Sequence, residues 1–516
     1  MGAATHNTRR IAKNTIILYI RMIVTMLITL YTSRVILKAL GFEDYGLYNV
    51  VGGVVALMSF LKSSMSESTQ RFLSYEIGKG NNDSQLKRVF SVCLTTHLLI
   101  AAIVLILAET VGLWFLNAKI NIPAGREVAA NWIYQFSVAS LCVSVISVPY
   151  SADIISHENM GYYAFLSILD AVLKLLFSFV VTCVSSDKLI IYGFLMMCVP
   201  IINIILNMTY CFRRYAETHY KYFWDNTMFK KVFSFSGWTI WGQLAIVGSN
   251  QGTSILVNIF HSVTANAALG IGHQVNYAVT GLISNFQTAF KPQITKSYAA
   301  GDHDYLSSLT QYASKISFYL FFIVSFPLLL NIDFILDLWL DKVPDLSNAF
   351  CVIFVVASAF NAISAPIYMN IFSTGRIKGY QIAMSFAYIA ELVAMYVMLK
   401  LGISLVACVA LKAVLNFFVI FIRLIYAHKE VEYFSAKLYL RNVLIPLLAS
   451  VVVTMIIVLP MMYFSSTVWQ KIGVTVLGFA VSIITAYFIG LNKKERNSVQ
   501  GIIKNVIHHK SIINAR

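Results

Sequence analysis

Charge is scarce in this 516-residue chain. Asp, Glu, Lys and Arg make up 12% of it, about half of the roughly 25% usual in soluble proteins. Acidic residues are the rarer sign, 23 against 39 Lys and Arg. Long polar stretches are missing too: apolar runs of membrane-spanning length follow one another from residue 11 to 489, which leaves no room for a large water-soluble domain. There is no G-x-x-x-x-G-K-[ST] sequence, so the chain has no P-loop with which to use ATP. H-E-x-x-H is absent and no Ser/His/Asp arrangement stands out. No outer loop exceeds roughly 20 residues, a poor fit to a membrane enzyme that needs a catalytic loop. The seven cysteines (Cys93, Cys142, Cys183, Cys198, Cys211, Cys351, Cys408) lie mostly within apolar runs, none at metal-ligand spacing. They read as small buried side chains. Neither a metal nor a cofactor is expected.

What remains is 58% hydrophobic. A bilayer core of about 30 Å takes roughly 20 apolar residues per helix, and on that measure the chain holds about fourteen spans. The expected fold is an all-α polytopic membrane protein. Its first run, 11–37, is too long for a signal-peptide core and lacks a small-residue cleavage site, so it reads as a retained first span. The longest internal polar stretch follows about six spans. The expected organisation is a six-helix bundle over 1–212, a cytoplasmic linker over 213–231, a second six-helix bundle over 232–430, two added spans over 431–490, and a basic cytoplasmic tail over 491–516. Val499, Ile502, Ile503, Val506 and Ile507 give that tail a helical apolar face suited to an anionic lipid surface. The halves echo each other. Ser74-Tyr75-Glu76-Ile77-Gly78-Lys79-Gly80 and Ser297-Tyr298-Ala299-Ala300-Gly301-Asp302 follow long second helices at an offset of about 220 residues, as in the internal repeats of secondary transporters.

The formal net charge of +16 points to membrane topology rather than to nucleic acid. With the N-terminus placed in the cytoplasm, 24 of the 39 basic residues fall in cytoplasmic segments, Arg423 among them, and 7 in outer loops. The outer loop 331–346 is acidic instead, with Asp333, Asp337, Asp341 and Asp345. An even number of spans puts both termini in the cytoplasm.

Ionisable residues at membrane depth cost about 2.5–3.5 kcal/mol each on insertion scales, so they mark cavities or partners. Arg21 and Thr25 share a face of the first span. Glu67 and Arg71 on the second, and Asp170 and Lys174 on the fifth, are each four apart and read as self-neutralising pairs. His273, Tyr277, Thr280, Ser284, Gln287 and Lys291 form one helical stripe. Gln243, Asn250, Ser254 and Asn258 form a second, and Ser404, Cys408, Lys412 and Asn416 a third. Such stripes are either interhelical glue or the lining of a wet cavity. The deep cations Arg21, Arg71, Lys174, Lys291 and Lys412 outnumber the deep anions Glu67, Asp170 and Glu391. A cavity of that sign suits a phosphate or pyrophosphate headgroup, with Asp170 and Glu391 as candidate coupling carboxylates.

Three segments carry a family likeness. They are Leu40-Gly41-Phe42-Glu43-Asp44-Tyr45-Gly46-Leu47-Tyr48 after the first span, Phe235-Ser236-Gly237-Trp238 with Gly242-Gln243 at the start of the seventh, and Phe290-Lys291-Pro292-Gln293-Ile294 with Ala300-Gly301-Asp302 at the end of the eighth. In these the chain resembles the polysaccharide-transporter, or O-antigen flippase, branch of the MOP exporter superfamily. The resemblance implies a MATE-like fold of two pseudo-symmetric six-helix bundles around a cationic cavity, followed by two C-terminal helices. It implies a flippase of the bacterial inner membrane, with an undecaprenyl-pyrophosphate-linked oligosaccharide as substrate, working beside glycosyltransferases and a polysaccharide polymerase. A cation-coupled multidrug exporter of the same fold, a lipid II flippase and a membrane-embedded glycan polymerase stay open as alternatives.

Overall fold

The structure is a computed structural model. It describes residues 2–500 except 57–58, 81–82, 120–121, 124, 222–224, 341, 432, 464–466, 494 and 498. The tail read as an interfacial helix lies outside the described residues beyond 500, as does Asp341 of the acidic loop.

The helices run α1 (Gly2–Ala56), α2 (Ser59–Lys79), α3 (Asp83–Leu107), α4 (Leu113–Lys119), α5 (Glu127–Ser156), α6 (Met160–Thr182), α7 (Lys188–Arg214), α8 (Asn226–Phe260), α9 (Val263–Ala299) and α10 (His303–Leu330). They continue through α11 (Ile332–Trp339), α12 (Ser347–Thr374), α13 (Lys378–Lys400), α14 (Leu405–Glu430), α15 (Ala436–Tyr439), α16 (Ile445–Tyr463) and α17 (Val468–Thr485). Eleven helical stretches among the described residues are long and apolar enough to cross a membrane. The helices α2, α8 and α9 fall outside that set although they have 21, 35 and 37 residues. Their polar faces, with Lys62 and Arg71, Gln243 and Asn250, and His273 and Lys291, are what lower their hydropathy. Counting them restores about fourteen spans in an all-helical fold.

Within α1 the backbone breaks at Gly41, with φ 77 and ψ 175. Only glycine adopts that region freely, so the break ends the first span at the turn the sequence motif marks. Asp44, three residues on, receives Arg126 through Nε at 2.9 Å and through a second guanidinium nitrogen. Arg126 also reaches Asp187 at 2.7 Å, and Asp187 caps α7 by accepting from the N–H groups of Leu189 and Ile190. One guanidinium thus ties the turn after the first span to the loops before α5 and α7. We expect Gly41→Val to cost about 1–3 kcal/mol, the strain of a β-branched residue in that region. A lowered thermal midpoint of the purified protein would record it.

The chain divides into two compact units, Ile16–Gln243 and Met1–Thr15 with Leu244–Arg516. The stretch 213–231 does not hang free. It holds the end of α7, a 3-10 turn (Ala216–Thr218) and the start of α8. Glu217 and Thr218 are buried, and the Lys221 N–H meets Ser91 Oγ at 3.5 Å. In the second unit the two added spans pack on α10. Phe318, Phe322 and Phe326 share a core with Val443, Leu447 and Val458 and with Val474 and Val481. The first turn of the tail docks there as well, with Lys315 Nζ 2.9 Å from Glu495.

The internal repeat is visible in the backbone. Left-handed Gly80 and Gly301 end α2 and α9, and left-handed Gly125 and Leu346 precede α5 and α12, each pair about 220 residues apart as a duplicated module requires. Side chains repeat too. Ser74 meets Ser156 at 3.1 Å, and Thr295 meets Ser373 at 3.1 Å in the equivalent place. Pro149 in α5 and Pro366 in α12 occupy matching helices.

Candidate functional site

Each unit holds its own polar site at membrane depth. In the first unit α6 presents Tyr163, Ser167, Asp170 and Lys174 along one face, at helical spacing. Asp170 and Lys174 form an ion pair at 2.7 Å, and Asn203 on α7 donates to Asp170 Oδ1 at 2.8 Å. A cavity of about 500 Å³ opens over the pair. Its polar lining is Tyr48, Asn49, Lys62, Ser137, Ser140, Ser144, Asp170 and Lys174, and glycines at 52, 53 and 193 keep its walls low. That volume lies within the range of small-ligand sites. The pair is not sealed: Lys174 and Asp170 keep 48% and 32% of their side-chain exposure.

Arg21 on α1 reaches the same face of α6 one turn and more away. Its Nη1 donates to Ser167 Oγ at 3.3 Å, and its guanidinium lies 5.1 Å from the Tyr163 ring centroid. Thr25 bonds back to the Met22 carbonyl at 3.1 Å. Arg71 is buried on α2, stacked among Phe72, Tyr75 and Phe235 at 4.8, 4.7 and 5.6 Å. Buried stacking of this kind stabilises a guanidinium by about 2 kcal/mol.

In the second unit the site is tighter. Lys412 on α14 lies 3.4 Å from Glu391 on α13. It donates to Ser249 Oγ at 3.3 Å and to Asn250 Oδ1 at 3.2 Å, both on α8. Ser249 in turn donates to Glu391 at 2.9 Å. Three helices are thereby joined by one buried network, with side-chain exposures of 10% and 3% for the lysine and the glutamate. Asn416 serves its own helix, donating to the Lys412 carbonyl at 2.8 Å. Along α9, His273 stacks on Phe354 at 4.2 Å, Tyr277 is 68% exposed, and Ser284 bonds back to the Gly281 carbonyl. Gln243 and Gln287 are half-buried. Lys291 lies over the Phe372 ring at 5.2 Å.

No protein-family profile and no curated protein sequence matches the chain. Solved structures do. A crystal structure of a MATE protein in its straight conformation aligns over 83% of this chain and 96% of its own, with TM-score 0.68 and 13% identity. A Vibrio cholerae MATE transporter variant aligns over 84% and 99%, with TM-score 0.67 and 15% identity. A MOP superfamily transporter from Pyrococcus furiosus, whose reversed binding-pocket polarity is described as suggesting a different function, aligns over 83% and 98%, with TM-score 0.66 and 12% identity. The chain has the MATE fold.

On this MATE fold several polar groups of the two sites escape a sequence reading. Lys62 reads as a boundary residue because Ser63, Ser64, Ser66 and Glu67 surround it, yet it lines the first-half cavity. Ser137, Ser140 and Ser144 are a legible stripe, at steps of three and four, inside an otherwise apolar helix. Ser249 has no pattern of its own and is found only by its partners. Arg423, counted above among the cytoplasmic basic residues, lies inside α14 and is 9% exposed. It donates to Tyr380 Oη at 3.0 Å, Asn361 Oδ1 at 2.8 Å and Ser364 Oγ at 2.8 Å. Its nearness to the helix end makes it look solvated, whereas α12 and α13 supply acceptors for it. All its hydrogen-bond acceptors among the described residues are neutral.

Proposed function

We propose that the protein is a flippase that exports an undecaprenyl-pyrophosphate-linked oligosaccharide, the repeat unit of an O-antigen or another surface polysaccharide, across the bacterial inner membrane by alternating access. The observation that supports this most is the lining of the first-half cavity, where two lysines face one carboxylate among serine hydroxyls and an asparagine amide. A glycan pyrophosphate cannot enter hydrocarbon, because its hydroxyls and phosphates would lose their hydrogen bonds. Ammonium groups replace the solvation of phosphate oxygens, and hydroxyls and amides replace that of sugars. The second half adds Arg423 among neutral acceptors and Lys291 on α9, again basic groups at depth. A pocket of this polarity disfavours cationic drugs, and the Pyrococcus furiosus neighbour is a precedent for a MOP transporter described by its pocket polarity. With no P-loop, the driving force is an ion gradient, downstream consumption of the glycan, or both.

Proteoliposomes with a fluorescent polyprenyl-pyrophosphate oligosaccharide test the reading. Added glycosidase should reach the inner-leaflet glycan faster with the protein than in protein-free vesicles. Equal rates, together with gradient-driven movement of a cationic dye, would replace the proposal by the multidrug reading. Preference for lipid II, or lengthening of the glycan chain, would replace it by the other two.

A further inference from the structure

We propose that Asp153, His157 and Glu217 form a binding site for a first-row divalent cation of the zinc type, which clamps the end of α5 to the 3-10 turn before α8. This site lies outside the cavity and the transport reading does not depend on it.

Asp153, in the last turn of α5, and His157, the residue that caps it, are four apart, a spacing that lets two ligands at one helix end meet one ion. Glu217 comes from the turn Ala216–Thr218. One ligand atom from each lies within 4.8 Å of the others. Both carboxylates lie near the same ring nitrogen: His157 Nε2 is 2.6 Å from Glu217 Oε1 and 3.8 Å from Asp153 Oδ1. Ligands bound tetrahedrally about 2.0–2.2 Å from zinc stand roughly 3.3–3.5 Å apart, and the two observed separations bracket that value. The imidazole is held in this direction by stacking on Tyr215, with ring centroids 4.2 Å apart and planes 8° off parallel.

Charge favours a metal. Asp153 has no exposed surface and the Glu217 side chain keeps 8%. Two buried carboxylates facing one imidazole nitrogen are a donor set that a divalent cation would bind together, using the nitrogen lone pair. An imidazole with two carboxylate oxygens suits zinc or manganese better than magnesium, which binds oxygen and water. The neighbouring Cys211 thiol turns away, to the Tyr150 carbonyl.

The repeat supplies an internal control. Past Pro366, the matching corner of α12 carries Asn370 and Thr374 where α5 has Asp153 and His157 past Pro149. Asn370 Nδ2 donates to Thr310 Oγ1 at 2.6 Å and to the Pro366 carbonyl at 3.1 Å. The fold therefore closes this corner with neutral groups, and packing does not demand an acid–histidine–acid set.

The test uses full-length protein purified without a histidine tag and treated with chelator. Zn²⁺ should bind saturably, one per chain at micromolar or tighter Kd, and raise the thermal midpoint while Mg²⁺ does not. His157→Ala and Glu217→Gln should each weaken that binding at least 10-fold, the lower end for loss of a metal-site partner. If either variant fails to fold, the wild-type protein loaded with Co²⁺ should show the visible absorption of a nitrogen- and oxygen-ligated ion, displaced by Zn²⁺. No saturable Zn²⁺ binding by the wild type, or His157→Ala binding as tightly as the wild type, would overturn the proposal.

Discussion

Lys412→Met alone is expected to destabilise the purified protein strongly, by about 3–5 kcal/mol, because it leaves the Glu391 carboxylate buried without its cation. Among the described residues Ser249 is then the remaining hydrogen-bond donor to that carboxylate, and a hydroxyl does not replace an ammonium. The double change Lys412→Met with Glu391→Gln should recover most of the loss, since it removes both charges and their desolvation together. Thermal unfolding of the three variants in detergent, followed by gel filtration, gives the comparison. A single variant as stable as the wild type would mean that the network of α8, α13 and α14 carries little stability. A stable double variant that no longer transports would assign the pair to coupling or binding.

The first-half pair should behave in the opposite way. Asp170 and Lys174 stay partly exposed, so Asp170→Asn with Lys174→Met should change stability by less than about 1 kcal/mol, the range of exposed pairs. Transport should respond to the lysines instead. Lys62→Ala with Lys174→Ala removes both cations of the cavity, each a charge-assisted contact of about 1.5–3 kcal/mol to a phosphate, so export should fall at least 100-fold. Arg21→Lys should keep only part of the wild-type rate, because an ammonium lacks the guanidinium fork. Full export by the lysine double variant, measured in the vesicle assay, would remove the cavity from the substrate path.

The contrast shows where a sequence speaks and where it is silent. Apolar length makes the spans legible, and the glycines at 41, 80 and 301 mark turns because their backbone conformation excludes most other residues. Asp170 and Lys174 are legible as a pair because one turn of helix brings them together. Glu391 and Lys412 meet through two helices and a loop, and Ser249 joins them from more than 140 residues away, so no local pattern records their contact. Arg423 misleads for a related reason: an arginine five residues before the histidine and lysine that end its helix looks solvated until the acceptors of α12 and α13 are in place. Asp153 and His157 carry a helical spacing that is readable, but Glu217 reaches them only after α6 and α7 have folded back.

The apolar clusters have a consequence for biogenesis. Those of the first half close among residues that precede Leu244, and those of the second half draw on residues from Leu256 onward. Domains fold as units, N-terminal first, as the ribosome delivers them at about 5–20 residues per second. The leading half is thus able to finish its packing tens of seconds before the last helices are translated. Insertion then becomes two successive assembly events rather than one search over fourteen helices, and a ribosome paused near residue 260 should already display a protease-resistant product.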